Sequence, residues 1–267
     1  MRPSPLYKPE GIDHPAFHLR YAWTGWPHSG EAFPPKPDEG FFSELAERYE
    51  VDGIRLLESN WRTDRIQFTC SVKPQVTPIL FTSRLKGRLQ HALRASGLNT
   101  RFSRKVAFRT IGDNTRTAVE RYVANQVAKE RFIDDRFSSM LVEFSVQDPH
   151  VDLRVPQSTL SGRYWYNLHL VMVTESRLRF TDETSLTKLS RMCVAVAKKK
   201  GHRVSARSVM PDHIHLALGG VVEESPEEIA LAYMNNTSFA FGQNALWQPT
   251  YYVGTFGEYD MGAVRRG

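Results

Sequence analysis

An internal repeat constrains the fold of this 267-residue chain more than any other feature. Residues 53–64 align with residues 201–212, and an alternating apolar run follows each segment. Further along, residues 108–112 align with residues 253–257 in the same order. A repeat that spans nearly half the chain predicts two copies of one structural unit.

Each copy shows the element order strand, helix, strand, strand, helix, strand. In the first copy the periodicity predicts strands over 17–24, 53–60, 64–71 and 105–111, with helices over 39–50 and 77–96. In the second copy it predicts strands over 166–174, 202–209, 212–219 and 251–256. Between them, one helix ends in three lysines before Gly201 and another begins at Ser225. The expected class is α+β: two tandem ferredoxin-like (βαββαβ) domains, antiparallel sheets with helices on one face.

The predicted domain boundaries place one unit at 16–131, a connector at 132–162 and a second unit at 163–267. The first unit has an extra helix, predicted over 115–131 with Asn114 as its cap, which puts Tyr122 and Gln126 on one helix face. In the second unit, the position equivalent to Tyr122 is Gly267. We therefore expect a tyrosine helix in the first unit only.

A His-Ile-His motif lies on the predicted strand 212–219. Successive strand residues point to opposite faces, so His213 and His215 project from one face while Ile214 enters the core. Two neutral imidazoles on a rigid strand form half of a divalent-metal site. Such a pair taken alone is more often incidental, and the first copy has Arg65 and Gln67 at the equivalent positions.

These motifs together resemble the single-tyrosine HUH transposases of bacterial insertion sequences and their REP-associated relatives. In the second copy the resemblance covers Met210 to Leu216 (MPDHIHL), Trp247 and residues 251–257. In the first copy it covers Phe102, residues 110–112 and residues 120–126 (ERYVANQ). The resemblance implies dimeric enzymes that act on single-stranded, hairpin-marked DNA through a 5′-phosphotyrosine intermediate and a free 3′-hydroxyl.

The resemblance also implies roles for individual residues. Tyr122 corresponds to the nucleophile, and His213, His215 and Gln126 correspond to ligands of Mg²⁺ or Mn²⁺. Neither copy holds the full set, because the tyrosine lies in one and the histidines in the other. The pattern favours a fused pseudo-dimer with one composite active site, which would nick, join and transpose DNA. Two alternatives stay open: an inactive regulator that binds DNA hairpins, and a replication or relaxase-type HUH nickase.

The charge distribution supports a polyanionic partner. The net charge is +6, and basic residues outnumber acidic ones through the segment 84–131. The candidate phosphate contacts are Arg84, Lys86, Arg88, Arg94, Lys105 and Arg109. A solvated surface explains such residues about as often. The sequence shows no signal peptide and no membrane-length apolar run, so we expect a cytoplasmic bacterial protein associated with the nucleoid, monomeric as a pseudo-dimer, with higher oligomers left open.

Overall fold

The computed structural model describes residues 4–130, 134–242 and 245–258. The elements of the first half are β1 (Ala16–His18), β2 (Arg20–Pro27), α1 (Glu39–Glu50), β3 (Ile54–Trp61), β4 (Ile66–Val72), α2 (Pro78–Ala95), β5 (Phe102–Ile111) and α3 (Arg116–Ala124). Those that follow are α4 (Asp135–Glu143), β6 (Ser145–Gln147), β7 (Gln157–Ser158), β8 (Gly162–Trp165), β9 (Asn167–Val173), α5 (Glu183–Lys200), β10 (Arg203–Val209), β11 (His213–Gly219), α6 (Pro226–Ala240) and β12 (Tyr252–Thr255).

Local sequence signals fix the ends of the helices in the second half. Ser225 caps α6 through its side chain, and Glu228 returns a bond to the Ser225 amide, which completes a capping box. Gly201 ends α5 in the left-handed region, with φ at 75°, directly after a run of three lysines. Cations in the last turn also favour the negative end of the helix dipole. Both predicted boundaries are therefore confirmed.

Two six-stranded sheets form the framework. The first sheet has the order β3-β4-β2-β5-β8-β7, and the second sheet has the order β1-β12-β9-β11-β10-β6. The four strands of each repeat are antiparallel to their neighbours, with the strand order of a ferredoxin-like domain. The predicted α+β class with two ferredoxin-like units is confirmed.

The two halves exchange edge strands. Strand β1 pairs in parallel with β12, and β8 pairs in parallel with β5, so each half adds one strand to the sheet of the other. These two pairings are additions to the antiparallel arrangement expected from the sequence. One hydrophobic cluster, which contains Tyr21 of the first half and Tyr166 of the second, runs through both halves. The halves therefore share a single main core.

The segment between the halves contributes to both sheets. Strand β6 pairs with β10 at the edge of the second sheet, and β7 pairs with β8 at the edge of the first. The predicted boundary at 131/132 lies in residues 131–133, outside the described residues. The predicted boundary at 162/163 falls within β8 and stays a prediction too. No helix in the described residues combines the length and the apolar character that crossing a bilayer requires.

Two equivalent threonines link the halves where the sheets meet. The Thr110 hydroxyl donates to the Phe256 carbonyl at 2.7 Å. The Thr255 hydroxyl donates to the Ile111 carbonyl at 2.5 Å, which repeats the first contact with the halves exchanged. The Thr110 hydroxyl also accepts a hydrogen bond from the backbone N–H of Asn167 at 3.0 Å. This reciprocal pair shows that the two copies pack around an internal pseudo-twofold axis.

Replacing Thr110 with valine is expected to destabilise the fold by about 2 kcal/mol, because the Asn167 amide loses its acceptor in a buried place. The change keeps the side-chain volume and removes only the hydroxyl. The free energy of unfolding in urea measures the effect. A Thr63→Val variant serves as a control, since Thr63 is exposed and should change stability little. Equal stability of the two variants would contradict a structural role for Thr110 at the axis.

Candidate composite site between the two halves

Helix α3 carries Tyr122 onto the sheet of the other half. Its buried side chains Val119 and Val123 pack in a separate small cluster with Ala206 and Ala217 of the second sheet and with Phe256, directly after β12. The helices α5 and α6 pack on the opposite face of that sheet, in the main core with Leu216 and its neighbours. A helix of the first half thus covers strands of the second half.

The structure brings Tyr122 and the histidine pair together within one chain. The Tyr122 ring centroid lies 5.6 Å from that of His215 and 5.8 Å from that of His169, edge to face in both cases. The ring centroids of His213 and His215 are 5.0 Å apart. Tyr122 keeps 43% of its surface exposed.

Each histidine of the pair is oriented through its Nδ1 atom. The His213 Nδ1 atom lies 2.7 Å from the Asp212 carboxylate. The His215 Nδ1 atom lies 3.0 Å from His169 Nε2, on the neighbouring strand β9. The Asp212 carboxylate accepts from His213 Nδ1–H, which leaves the lone pair on His213 Nε2 for a metal. The contact between His215 and His169 fixes the orientation of both rings and is satisfied with either ring as the donor.

Burial keeps the imidazoles of His215 and His169 neutral. Desolvation, followed by the nearby charges of His169, His213 and Lys129, lowers the pKa of His215 to about 2. Desolvation and the Lys129 charge lower the pKa of His169 to about 4. A neutral imidazole is the form that ligates a metal, so His215 is ready to do so throughout the neutral range.

The donor set suits a divalent cation. Ligand atoms of Glu130, Asp212 and His213 lie within 4.8 Å of one another, next to the His215 ring. Carboxylate oxygens combined with imidazole nitrogens are ligands that Mg²⁺ and Mn²⁺ accept. Glu130 belongs to the first half and the other two residues to the second. Of the three ligands that the resemblance implies, only His213 belongs to this set, and Glu130 and Asp212 supply the oxygen ligands instead.

The segment after Tyr122 differs from its prediction. Helix α3 begins after Thr115, not Asn114, and ends at Ala124 instead of continuing to residue 131. Asn125 leaves the helical conformation, as its short polar side chain favours. A short 3₁₀ turn follows over Val127–Lys129. The prediction of one continuous helix was wrong, because the sequence alone does not show where the apolar face of the helix stops packing.

Gln126 consequently lies beyond the helix that carries Tyr122. Its side chain is buried, and its amide nitrogen donates to the Tyr122 carbonyl at 2.7 Å. That bond ties the start of the 3₁₀ turn to the end of α3. The role of Gln126 as a metal ligand stays a prediction.

Three site residues were missed by sequence reasoning: His169, Lys129 and Glu130. Strand register places His169 opposite Ala217, and its ring contacts that of His215. The Lys129 ammonium lies 3.2 Å from the Tyr122 ring centroid. Its position depends on the turn that follows α3. Only the strand register offered a signal, for His169.

The equivalent place on the first sheet has no imidazole. Arg65 pairs with Asp64 at 3.0 Å, and the Gln67 amide donates to the Thr24 hydroxyl at 3.3 Å. Both side chains therefore bond partners within the first half. The expected absence of a second tyrosine helix concerns residues 259–267, which lie outside the described residues.

Four of the candidate phosphate contacts lie on α2, where most of them have partners within the protein. Arg84 and Arg88 both approach Asp52, at 3.5 and 2.5 Å. The Lys86 ammonium donates to the Ser103 carbonyl at 2.7 Å. Arg94 is exposed on the same helix.

The other two candidates lie on β5, on the opposite face of the first sheet. Phe108 points into the core against α2, so alternation sends Lys105 and Arg109 to the other side. The Arg109 guanidinium stacks over the Trp165 ring at 3.7 Å from its centroid. The six cations therefore do not form one surface, and their contact with DNA stays a prediction.

Comparison with known proteins gives one family. The family described as "Transposase IS200 like" matches residues 163–266. Among solved structures, a proposed transposase from Deinococcus radiodurans is similar at 23% identity over 38% of this chain and 85% of that chain, with a TM-score of 0.30. The regulatory subunit of aspartate kinase from Thermus thermophilus is similar at 11% identity over 83% of this chain and 93% of that chain, with a TM-score of 0.20. Neither likeness is close enough to carry an argument. No curated protein matches the chain.

Proposed function

We propose that this chain cuts and rejoins single-stranded DNA at one composite site. The match of residues 163–266 to the family described as "Transposase IS200 like" supports a DNA-processing enzyme with DNA as its partner. The finer proposal assigns the nucleophile to Tyr122 in the first half and the metal-binding histidines, His213 and His215, to the second.

One observation carries this proposal: the Tyr122 ring lies 5.6 Å from the His215 ring although the two residues belong to different copies of the repeat. Without packing between the two halves, nothing would hold Tyr122 next to His213 and His215. The packing of Val119 and Val123 on the second sheet holds it there. The first half, with Arg65 and Gln67, supports no equivalent site.

The chemistry is a phosphoryl transfer to a phenol. The Tyr122 Oη atom attacks a backbone phosphorus and loses its proton, an Oη–P bond forms, and the P–O3′ bond breaks to leave a free 3′-hydroxyl. A divalent cation held by His213, His215 and the neighbouring carboxylates would offset the charge that develops on the phosphate oxygens. The reverse attack by a 3′-hydroxyl restores the DNA backbone and frees Tyr122, so the bond energy is conserved.

The Lys129 ammonium adds a fixed cation to this site. It lies 3.2 Å from the Tyr122 ring centroid, and desolvation lowers its pKa. In the proposed mechanism it attracts the incoming phosphate and steadies the ring. A single site makes one phosphotyrosine at a time, so nicking, joining and strand transfer proceed one end at a time within a monomeric pseudo-dimer in the bacterial cytoplasm.

The test is capture of a covalent adduct. The protein is incubated with Mn²⁺ and a labelled single-stranded oligonucleotide that contains a hairpin, then denatured and separated by size. We expect a labelled band that survives denaturation, disappears when EDTA removes the metal, and returns on adding Mn²⁺ or Mg²⁺. Tight binding of the hairpin with no adduct under any of these conditions would contradict the proposal and favour a non-cleaving regulator.

A further inference from the structure

The first sheet carries a cavity of about 940 Å³ on the face that corresponds to the catalytic face of the second sheet. Its lining includes Gln67, at the position equivalent to His215, together with Trp61, Trp165 and Arg109. We propose that this cavity binds an unpaired base of single-stranded DNA without cleaving the strand. The identity of the ligand rests on the proposed function.

The cavity has polar side chains at positions where the second sheet is apolar. In the second sheet the cross-strand pair Ala206 and Ala217 lies buried under α3. The matching pair in the first sheet, next to the equivalent β-bulge, is Glu58 and Thr69, and both line the cavity. A carboxylate and a hydroxyl do not suit the apolar face of a packed helix. This surface has therefore diverged from one that holds a tyrosine helix.

Its chemistry suits a nucleobase. The Arg109 guanidinium stacks on the Trp165 ring, and the Trp165 indole nitrogen is anchored to the Arg154 carbonyl at 2.7 Å. Bases stack on aromatic rings and on guanidinium planes. Side-chain amides of Asn60 and Gln67 lie in the same lining, and amides can bond the donors and acceptors at a base edge. The first half lacks the histidine pair, so a bound strand meets no cleavage chemistry there.

The cavity lies on the same run of chain as the catalytic site. Trp165 ends β8 in the first sheet, and His169 lies four residues later in β9 of the second. Four residues of extended chain span roughly 13 Å. In this proposal, a strand with its phosphate at Tyr122 continues over that distance and places a nearby base in the cavity. The cavity would then fix the strand relative to the nucleophile.

The test compares oligo(dT) with an abasic deoxyribose-phosphate chain of the same length, in the uncleaving Tyr122→Phe background. We expect the protein to prefer oligo(dT), and Trp165→Ala to weaken oligo(dT) binding about tenfold while abasic binding stays unchanged. The slope of log K against log salt should stay the same, since the phosphate contacts are intact. Trp165→Phe keeps a ring and should retain most of the affinity.

The control is Phe239→Ala, which removes an exposed ring on α6, outside the cavity. Unchanged oligo(dT) affinity in Trp165→Ala, an equal loss for the abasic chain, or no preference for bases in the parent protein would each overturn the proposal. Thermal melting excludes misfolding, and Arg109→Gln gives a second, milder change at the same stack. If the protein forms the adduct but binds both oligomers equally, only the proposal of a base-binding cavity is wrong. If it prefers oligo(dT) but forms no adduct, only the proposed cleavage chemistry is wrong.

Discussion

Replacing Tyr122 with phenylalanine is expected to abolish the covalent protein–DNA adduct, with a fall in rate of roughly a thousandfold or more. The change removes one oxygen atom and leaves the ring that contacts His169 and His215. Because 43% of the Tyr122 surface is exposed, the fold should tolerate the loss. Adduct yield on a denaturing gel measures the effect, and DNA affinity should change little.

The matched comparison is Tyr252→Phe. Tyr252 lies at 5.7 Å from His169, between ring centroids, and is the other partly exposed phenol near the site among the described residues. We expect this variant to keep the adduct. If Tyr252→Phe lost the adduct and Tyr122→Phe kept it, the nucleophile would be Tyr252, and the assignment to Tyr122 would be wrong.

The double change His213→Ala and His215→Ala is expected to lower Mn²⁺ affinity by at least about 100-fold and to remove the adduct with it. The His213 ring is oriented by Asp212, and the His215 ring by His169. The free Mn²⁺ signal in electron paramagnetic resonance measures affinity without relying on activity. Metal binding and adduct formation should therefore be lost together.

The stability of the double variant must be measured together with its Mn²⁺ affinity. His215 is buried, and removing its ring leaves His169 without that hydrogen-bond partner. We expect a modest loss that keeps the protein folded at room temperature. His150→Ala, at an exposed histidine, is the control and should bind Mn²⁺ as the parent does. Unchanged Mn²⁺ affinity in the folded double variant would show that the metal, if bound, uses other residues.

The fold was largely predictable from the sequence because it depends on local periodicity that occurs twice. The strands around 66–72 and 213–219, and the capping box at Ser225, follow from alternation and cap chemistry. The exchange of β1 and β8 between the sheets was not predictable. These strands are short, and their partners are set by how the two halves pack, which no local pattern records.

The candidate site was also predictable only in part. The histidine pair and Tyr122 were identified from the family resemblance that their motifs carry, and their closeness follows from the packing of α3 on the second sheet. The end of α3 at Ala124 was missed, and with it the placement of Lys129 and Glu130. Those side chains depend on a non-helical turn, whose course is decided by tertiary contacts.

The most direct test of a site built within a single chain mixes two inactive proteins. Tyr122→Phe keeps the histidines, and the His213→Ala, His215→Ala double variant keeps the nucleophile. If Tyr122 serves the histidines of its own chain, as the 5.6 Å contact with His215 indicates, neither protein can complete the other. We predict no adduct from the mixture at any ratio, while the parent protein forms it. An adduct that returns on mixing would show that the site forms between two chains.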